Sequence, residues 1–133
     1  MIRTIVGTVT AILLAMLVIT LIEGIGHAVW PPPPGFDLTG AQDTDALTKA
    51  MPLAALIAVP VGWFLGTLAG GFTGNLIAGR TLPGWIVACI ILAASAYMQF
   101  LIPHPWWMVG AGLVAGPLGG WIATKAVRRA LPA

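Results

Sequence analysis

Two ionisable side chains, Glu23 and His27, interrupt a long apolar stretch near the start of the chain. Their i, i+4 spacing puts both on one face of a helix, and Thr20 joins that face one turn earlier. Ionisable groups at membrane depth are costly, which makes them candidates for function. Further polar residues occur near the end of a later apolar stretch, and we expect one shared polar pocket lined by Thr20, Glu23, His27, Tyr97, Gln99 and His104.

Four kinds of chemistry are compatible with this predicted pocket. Glu23 and His27 could form a structural hydrogen bond that satisfies both side chains and holds the first helix to a neighbour. The same pair could relay protons, or act as general acid and base on a lipid-like substrate. With His104 it would supply two imidazoles and one carboxylate, a ligand set that suits zinc or iron. The spacing leaves these alternatives open, and no cofactor is predicted.

The composition is that of an integral membrane protein. Of the 133 residues, 59% are hydrophobic and 8% are charged, whereas a soluble domain carries about 25% charged residues. So few charges cannot cover a surface that faces water, and the lipid bilayer is the predicted partner. A net charge of +2 gives no argument for nucleic-acid binding. Cys89 is the only cysteine, which excludes an internal disulfide and a thiolate metal cluster.

The chain reads as a single domain over residues 1–133, an antiparallel bundle of four transmembrane helices. We predict these helices over about residues 4–29, 52–79, 85–102 and 106–124, with an outer loop over residues 31–50 that carries a short helix near its end. The first apolar run exceeds the usual core of a signal peptide, which favours a retained helix over a cleaved leader. The two later connections are short, so the helices they join should be antiparallel neighbours.

The basic residues predict the orientation of this bundle. Only Lys49 falls on the side of the outer loop, and the opposite side receives Arg3, Arg80, Lys125, Arg128 and Arg129. Cytoplasmic loops carry an excess of Lys and Arg in membrane proteins. We therefore expect both termini in the cytoplasm.

A ladder of small residues runs along the second predicted membrane helix and recurs in the fourth. Glycine at every fourth position lets another backbone approach closely, and packing of this kind drives helix association in lipid. We therefore predict helix-packing seams, within or between subunits, and a homo-oligomer. The glycines concerned are Gly62, Gly66, Gly70, Gly74, Gly112, Gly116 and Gly120.

Three features together resemble a family of small uncharacterised four-helix membrane proteins of bacteria. They are the Glu23-x-x-x-His27 pair before a proline run, the acidic outer loop, and the sequence Pro-His-Pro-Trp that ends at Trp106. The resemblance spans nearly the whole chain and implies a bacterial inner membrane. It implies no activity.

The leading functional prediction is a structural or interaction role in the envelope, with self-association through the glycine ladders. A small ion, proton or solute carrier that uses the Glu23/His27 pocket is the alternative, with a small ion or a lipid-like molecule as ligand. A metal-binding membrane protein is a second alternative. No phosphate loop, nucleophile elbow or paired-carboxylate motif occurs in the sequence, so no enzyme is predicted.

Overall fold

The computed structural model describes residues 1–34, 44–101 and 104–130, and of Thr44 and Asp45 the backbone only. Secondary structure in these ranges is entirely helical: α1 (Ile2–Val29), α2 (Thr44–Ala50), α3 (Leu53–Ala78), α4 (Leu82–Leu101) and α5 (Trp106–Ala130). All of these helices except α2 are long and apolar enough to cross a membrane. The all-α class and the four candidate membrane spans are therefore confirmed.

Parts of two predicted connections lie outside the described residues. These are residues 35–43, which include Asp37 and Asp43 of the acidic loop, and residues 102–103, which include the predicted end of the third membrane helix.

α4 begins earlier than the sequence predicted, at Leu82 instead of near residue 85. Pro83 suits the first turn of a helix, where the amide that it lacks would have no partner within the helix. The Asn75 side chain of α3 also accepts a hydrogen bond of 2.8 Å from the Gly84 N–H. This bond satisfies one of the free amides at the start of α4.

α5 continues to Ala130, six residues beyond the predicted end at residue 124. The prediction stopped the helix where the basic residues begin. Lys and Arg are good helix formers, and their charges interact favourably with the negative end of the helix dipole. Arg128 and Arg129 accordingly occupy the last turn of α5. The remaining helix ends agree with the predictions to within two residues.

α3 packs against α1, α4 and α5, and its contacts are the most extensive of the four long helices. A small core of buried aliphatic side chains joins α1 to α4 and consists of Ala11, Ala15, Ile19, Val87 and Ile91. The other face of α1 exposes large apolar side chains, namely Ile5, Val9, Leu13, Leu17, Leu21 and Ile25. Lipid tails are as apolar as these side chains, so this face suits a bilayer.

Glycines of α3 bring its backbone against the backbone of α1. A Cβ atom at Gly66 would lie 2.8 Å from the Ala15 carbonyl oxygen, a distance that real Cβ atoms essentially never show. At Gly70 an added Cβ would overlap the Ala11 carbonyl oxygen. Neither position can take a larger residue unless the two helices move apart.

The same contact loosens toward one end of the two helices. A Cβ at Gly74 would lie 2.5 Å from the Gly7 carbonyl oxygen, whereas one at Gly62 would lie 3.4 Å from the Ile22 side chain and 3.8 Å from the Ile19 carbonyl oxygen. The close backbone approach therefore extends over Gly66, Gly70 and Gly74, in the half of α3 that precedes Arg80.

The glycines of α5 face two different helices. A Cβ at Gly116 would lie 3.2 Å from the Ala88 carbonyl oxygen of α4, and one at Gly120 would lie 2.6 Å from the Ala88 Cβ. Gly119, which the sequence did not single out, instead faces α3, where a Cβ would lie 2.8 Å from the Phe64 carbonyl oxygen. α5 therefore fits into the groove between α3 and α4.

Basic residues gather at one end of the bundle, which we call the Arg80 end. The Arg3 Nε donates a hydrogen bond of 3.2 Å to the Ile77 carbonyl oxygen at the end of α3. The Lys125 ammonium lies 4.2 Å from the centre of the Trp121 ring, a cation–π contact. We call the opposite end, where α1 finishes and α3 starts, the cavity end.

Candidate functional site

A cavity of about 280 Å³ lies at the cavity end of the bundle. Its polar wall is formed by Glu23 and His27 of α1, Trp63 of α3, and His104 from the connection between α4 and α5. The remaining wall is apolar and consists of Gly26, Met51, Ala55, Ala58, Val59, Met98 and Met108. All four membrane-spanning helices contribute to this cavity.

Glu23 is the only glutamate of the chain, and it is half-buried at the cavity wall. The Trp63 indole N–H donates a hydrogen bond to its carboxyl group, and the His27 imidazole interacts with it electrostatically. His27 itself is exposed. The carboxyl therefore has an identified hydrogen-bond partner on α3, and a carboxylate can accept further hydrogen bonds.

A predicted packing glycine makes room for this tryptophan. A Cβ at Gly112 of α5 would lie 2.9 Å from the Cζ3 atom of the Trp63 ring. The Thr67 hydroxyl, one turn later in α3, donates a hydrogen bond of 2.8 Å to the Trp63 carbonyl oxygen. Gly112 thus acts on Glu23 indirectly, because it lets the Trp63 ring lie where its indole can reach the carboxyl.

His27 and His104 also line a second cavity of about 200 Å³ beside the first. The two cavities share Met51 and Met108 as well, and the second one extends toward Pro32, which follows the end of α1. The imidazoles therefore stand between the Glu23 cavity and the connection from α1 to α2.

The three predicted metal ligands, Glu23, His27 and His104, line one cavity but do not form a tight set. Among the residues that the structure describes, no three His, Cys, Asp or Glu side chains lie close enough together to hold a metal ion. A zinc or iron site made of these three residues would require the side chains to move closer to one another.

The other residues predicted for the polar pocket are not part of the cavity wall. Thr20 is exposed, and the Tyr97 side chain is 62% exposed. The Gln99 Nε2 donates a hydrogen bond of 3.3 Å to the Val109 carbonyl oxygen and so joins α4 to α5. Glu23 and His27, which the i, i+4 spacing placed on one helix face, both line the cavity, but the rotation of α4 about its axis could not be deduced from its sequence.

Trp63 and the cavity methionines are the site residues that sequence reasoning missed. Tryptophan in membrane helices favours the membrane interfaces, whereas Trp63 lies far from both predicted ends of its helix. This unusual position was a signal that the sequence contained. The methionines carried no local signal, because they lie in different segments and meet only in the folded chain.

No family model, no curated protein and no solved structure matches this sequence. The resemblance to small bacterial membrane proteins therefore stays a prediction.

Proposed function

We propose that this protein is a carrier for a small cation, which it binds in the Glu23 cavity in exchange for a proton. The observation that carries this proposal is the convergence of the only glutamate and both histidines of the chain on one cavity. Charged and titratable groups are expensive within a membrane and mark ion pathways and proton relays when they occur. Glu23 supplies the negative charge, and imidazole is a side chain that can take up and release a proton.

The proposed topology is an antiparallel bundle with the cavity on the outer face. Contacts between α1 and α3 run in opposite sequence order, from Gly7 beside Gly74 to Gly26 beside Ala58, which supports the antiparallel arrangement. Five of the six Lys and Arg residues belong to the Arg80 end, all except Lys49. The positive-inside rule then favours cytoplasmic termini. The sequence resemblance adds a bacterial inner membrane to this proposal.

A structural role for the site is the second candidate, and the hydrogen bond between Trp63 and Glu23 favours it. In that case the carboxyl would serve only to hold α1 on α3. Self-association through the glycine ladders has no such support, because the glycines at positions 66, 70, 74, 116 and 120 make their close contacts within one chain.

Proton movement in proteoliposomes tests the carrier. The purified full-length chain is reconstituted with a pH-sensitive dye inside, and gradients of sodium, potassium, silver and tetraphenylphosphonium are imposed in turn in chloride-free buffer. We expect at least one gradient to drive protons across the membrane in the wild type. Glu23→Gln should abolish this movement, because the amide neither ionises nor carries the charge that the cation must meet.

Tyr97→Phe is the matched control, since Tyr97 is exposed and does not line the cavity. It should behave as the wild type does. Absence of proton movement under every gradient, or full movement in Glu23→Gln, would contradict the carrier and leave the structural role.

A further inference from the structure

The methionines of this chain are concentrated at the Glu23 cavity. The chain has five methionines, one of which is Met1, and three of the remaining four line this one cavity: Met51, Met98 and Met108. The fourth, Met16, lies 51% exposed on α1 and is not part of the wall. Both histidines of the chain line the same cavity.

These donors come from four separate parts of the chain. His27 belongs to α1, Met98 to α4 and Met108 to α5, and Met51 lies between α2 and α3. Each part therefore supplies one methionine or histidine to the wall of a common cavity. Met108 is only 5% exposed, so its side chain is buried inside the bundle and does not lie on the bundle surface.

The donor chemistry determines which cation fits. Thioether sulfurs are soft ligands that select Cu(I), and imidazole also suits copper, whereas magnesium and calcium prefer carboxylate, carbonyl and water oxygens. The cavity offers three thioethers and two imidazoles against a single carboxyl group. Methionine has three rotatable bonds, so these side chains can close around an ion without movement of the helices.

We propose that the Glu23 cavity binds a soft monovalent cation, Cu(I) or its chemical analogue Ag(I), through the thioethers of Met51, Met98 and Met108 and the imidazole of His27. The Glu23 carboxylate, one helical turn before His27, offsets the charge of the ion. The transport of this cation rests on the proposed carrier function, but its binding does not. The ion enters and leaves in the same oxidation state, so no electron donor is needed.

Nuclear magnetic resonance of the methionine methyl groups tests this site directly. The full-length protein, labelled with ¹³C at these methyls, is titrated in detergent micelles with silver nitrate in chloride-free buffer. Silver stands in for Cu(I) because it does not change oxidation state. We expect saturation at one silver ion per chain and displacement of three methyl resonances, with those of Met1 and Met16 unmoved.

Leucine substitutions assign the resonances and measure the affinity. Loss of a residue that only hydrogen-bonds a metal ligand typically weakens metal binding by about 10–100-fold. Loss of a ligand itself, as in Met51→Leu, Met98→Leu or Met108→Leu, should therefore weaken silver binding by at least about tenfold. Leucine conserves volume and apolar character, so folding should be retained. Met16→Leu is the matched control and should bind silver as the wild type does.

The results separate the cation class from the carrier itself. Silver that leaves all five methyl resonances in place, or that displaces Met16 as strongly as Met108, would overturn the soft-cation site. Displacement of the same resonances by tetraphenylphosphonium but not by silver would also overturn it, in favour of an organic cation. In either case, proton movement that occurs in wild-type proteoliposomes and is lost in Glu23→Gln would still support the carrier. Silver binding to a wild-type protein that moves no protons would support the soft-cation site but not the carrier.

Discussion

At the scale of single residues, the carboxyl of Glu23 is held by a partner that lies far from it in sequence. The Trp63 indole N–H donates to this carboxyl, and the Trp63 ring has its place because Gly112 has no side chain. A polar group that is removed from water stabilises a fold only while its hydrogen bond is made. The position of this carboxyl therefore depends on the packing of α3 and α5.

A double-mutant cycle between Glu23 and Trp63 tests this dependence. Trp63→Phe removes the donor and Glu23→Ala removes the acceptor, and each change should lower the free energy of unfolding by about 1–3 kcal/mol. The double variant should lose less than the sum of the two, because the interaction can be lost only once. Denaturant unfolding in detergent micelles measures all three values.

Tyr97→Phe in the background of Glu23→Ala serves as the comparison, since Tyr97 is exposed away from the cavity. The changes in the free energy of unfolding caused by these two substitutions should add. Strict additivity between Glu23 and Trp63 would show that the hydrogen bond contributes nothing to stability.

At the scale of helices, close backbone contact replaces the burial of large side chains. Small residues face each other where the backbones of α3 and α1 approach most closely, and Gly70 packs directly on the Ala11 carbonyl oxygen. In lipid there is no hydrophobic gain from helix association, so the stability of the contact comes from packing and interhelical hydrogen bonds. Gly7, Ala11 and Ala15 of α1 form the complementary small-residue series, at the same four-residue step.

Gly70→Ala should therefore destabilise the bundle although alanine is the better helix former. The added methyl group would overlap the Ala11 carbonyl oxygen and force the helices apart, at a cost of typically about 1–3 kcal/mol. Thermal unfolding in detergent micelles provides the measurement.

Gly24→Ala on α1 is the matched control, because nothing lies within 4 Å of an added Cβ there. It should be neutral or raise stability by up to about 1 kcal/mol, the difference in helix propensity between the two residues. Equal losses in both variants would mean that helix propensity, and not close contact, governs these positions.

At the scale of the whole molecule, the two ends of the bundle differ in chemistry. The Arg80 end carries basic side chains, while the cavity end carries the carboxyl, the imidazoles and the thioethers. Such asymmetry orients a membrane protein, because Lys and Arg are retained on the cytoplasmic side. We therefore expect the cavity to receive its ligand from the outer side of the membrane.

Reporter fusions in bacterial cells test this orientation. Fusions after Arg80 and after Ala130 should report the cytoplasm, and a fusion within residues 41–48 should report the outer side. A fluorescent reporter that folds only in the cytoplasm and an enzyme active only outside it provide opposite signals at each site. The inverse pattern would place the cavity toward the cytoplasm and reverse the proposed direction of cation entry.

The sequence by itself determined the class of the protein and the bounds of most helices. Hydropathy is a property of one segment at a time, and a segment of about 20 apolar residues forms a helix in lipid whatever its neighbours are. The i, i+4 pairing of Glu23 and His27 is equally local, and so are the small-residue ladders. These features could therefore be predicted without knowledge of the fold.

The tertiary structure alone decided which residues meet. Whether Tyr97 or Met98 reaches the cavity depends on the rotation of α4 about its own axis, and this rotation is set by contacts such as Gly116 and Gly120 against Ala88. Such contacts join two segments at once, so neither segment contains the answer by itself. For the same reason, the sequence could not predict the pairing of Trp63 with Glu23. It also could not predict that three methionines from separate segments line one cavity in the packed bundle.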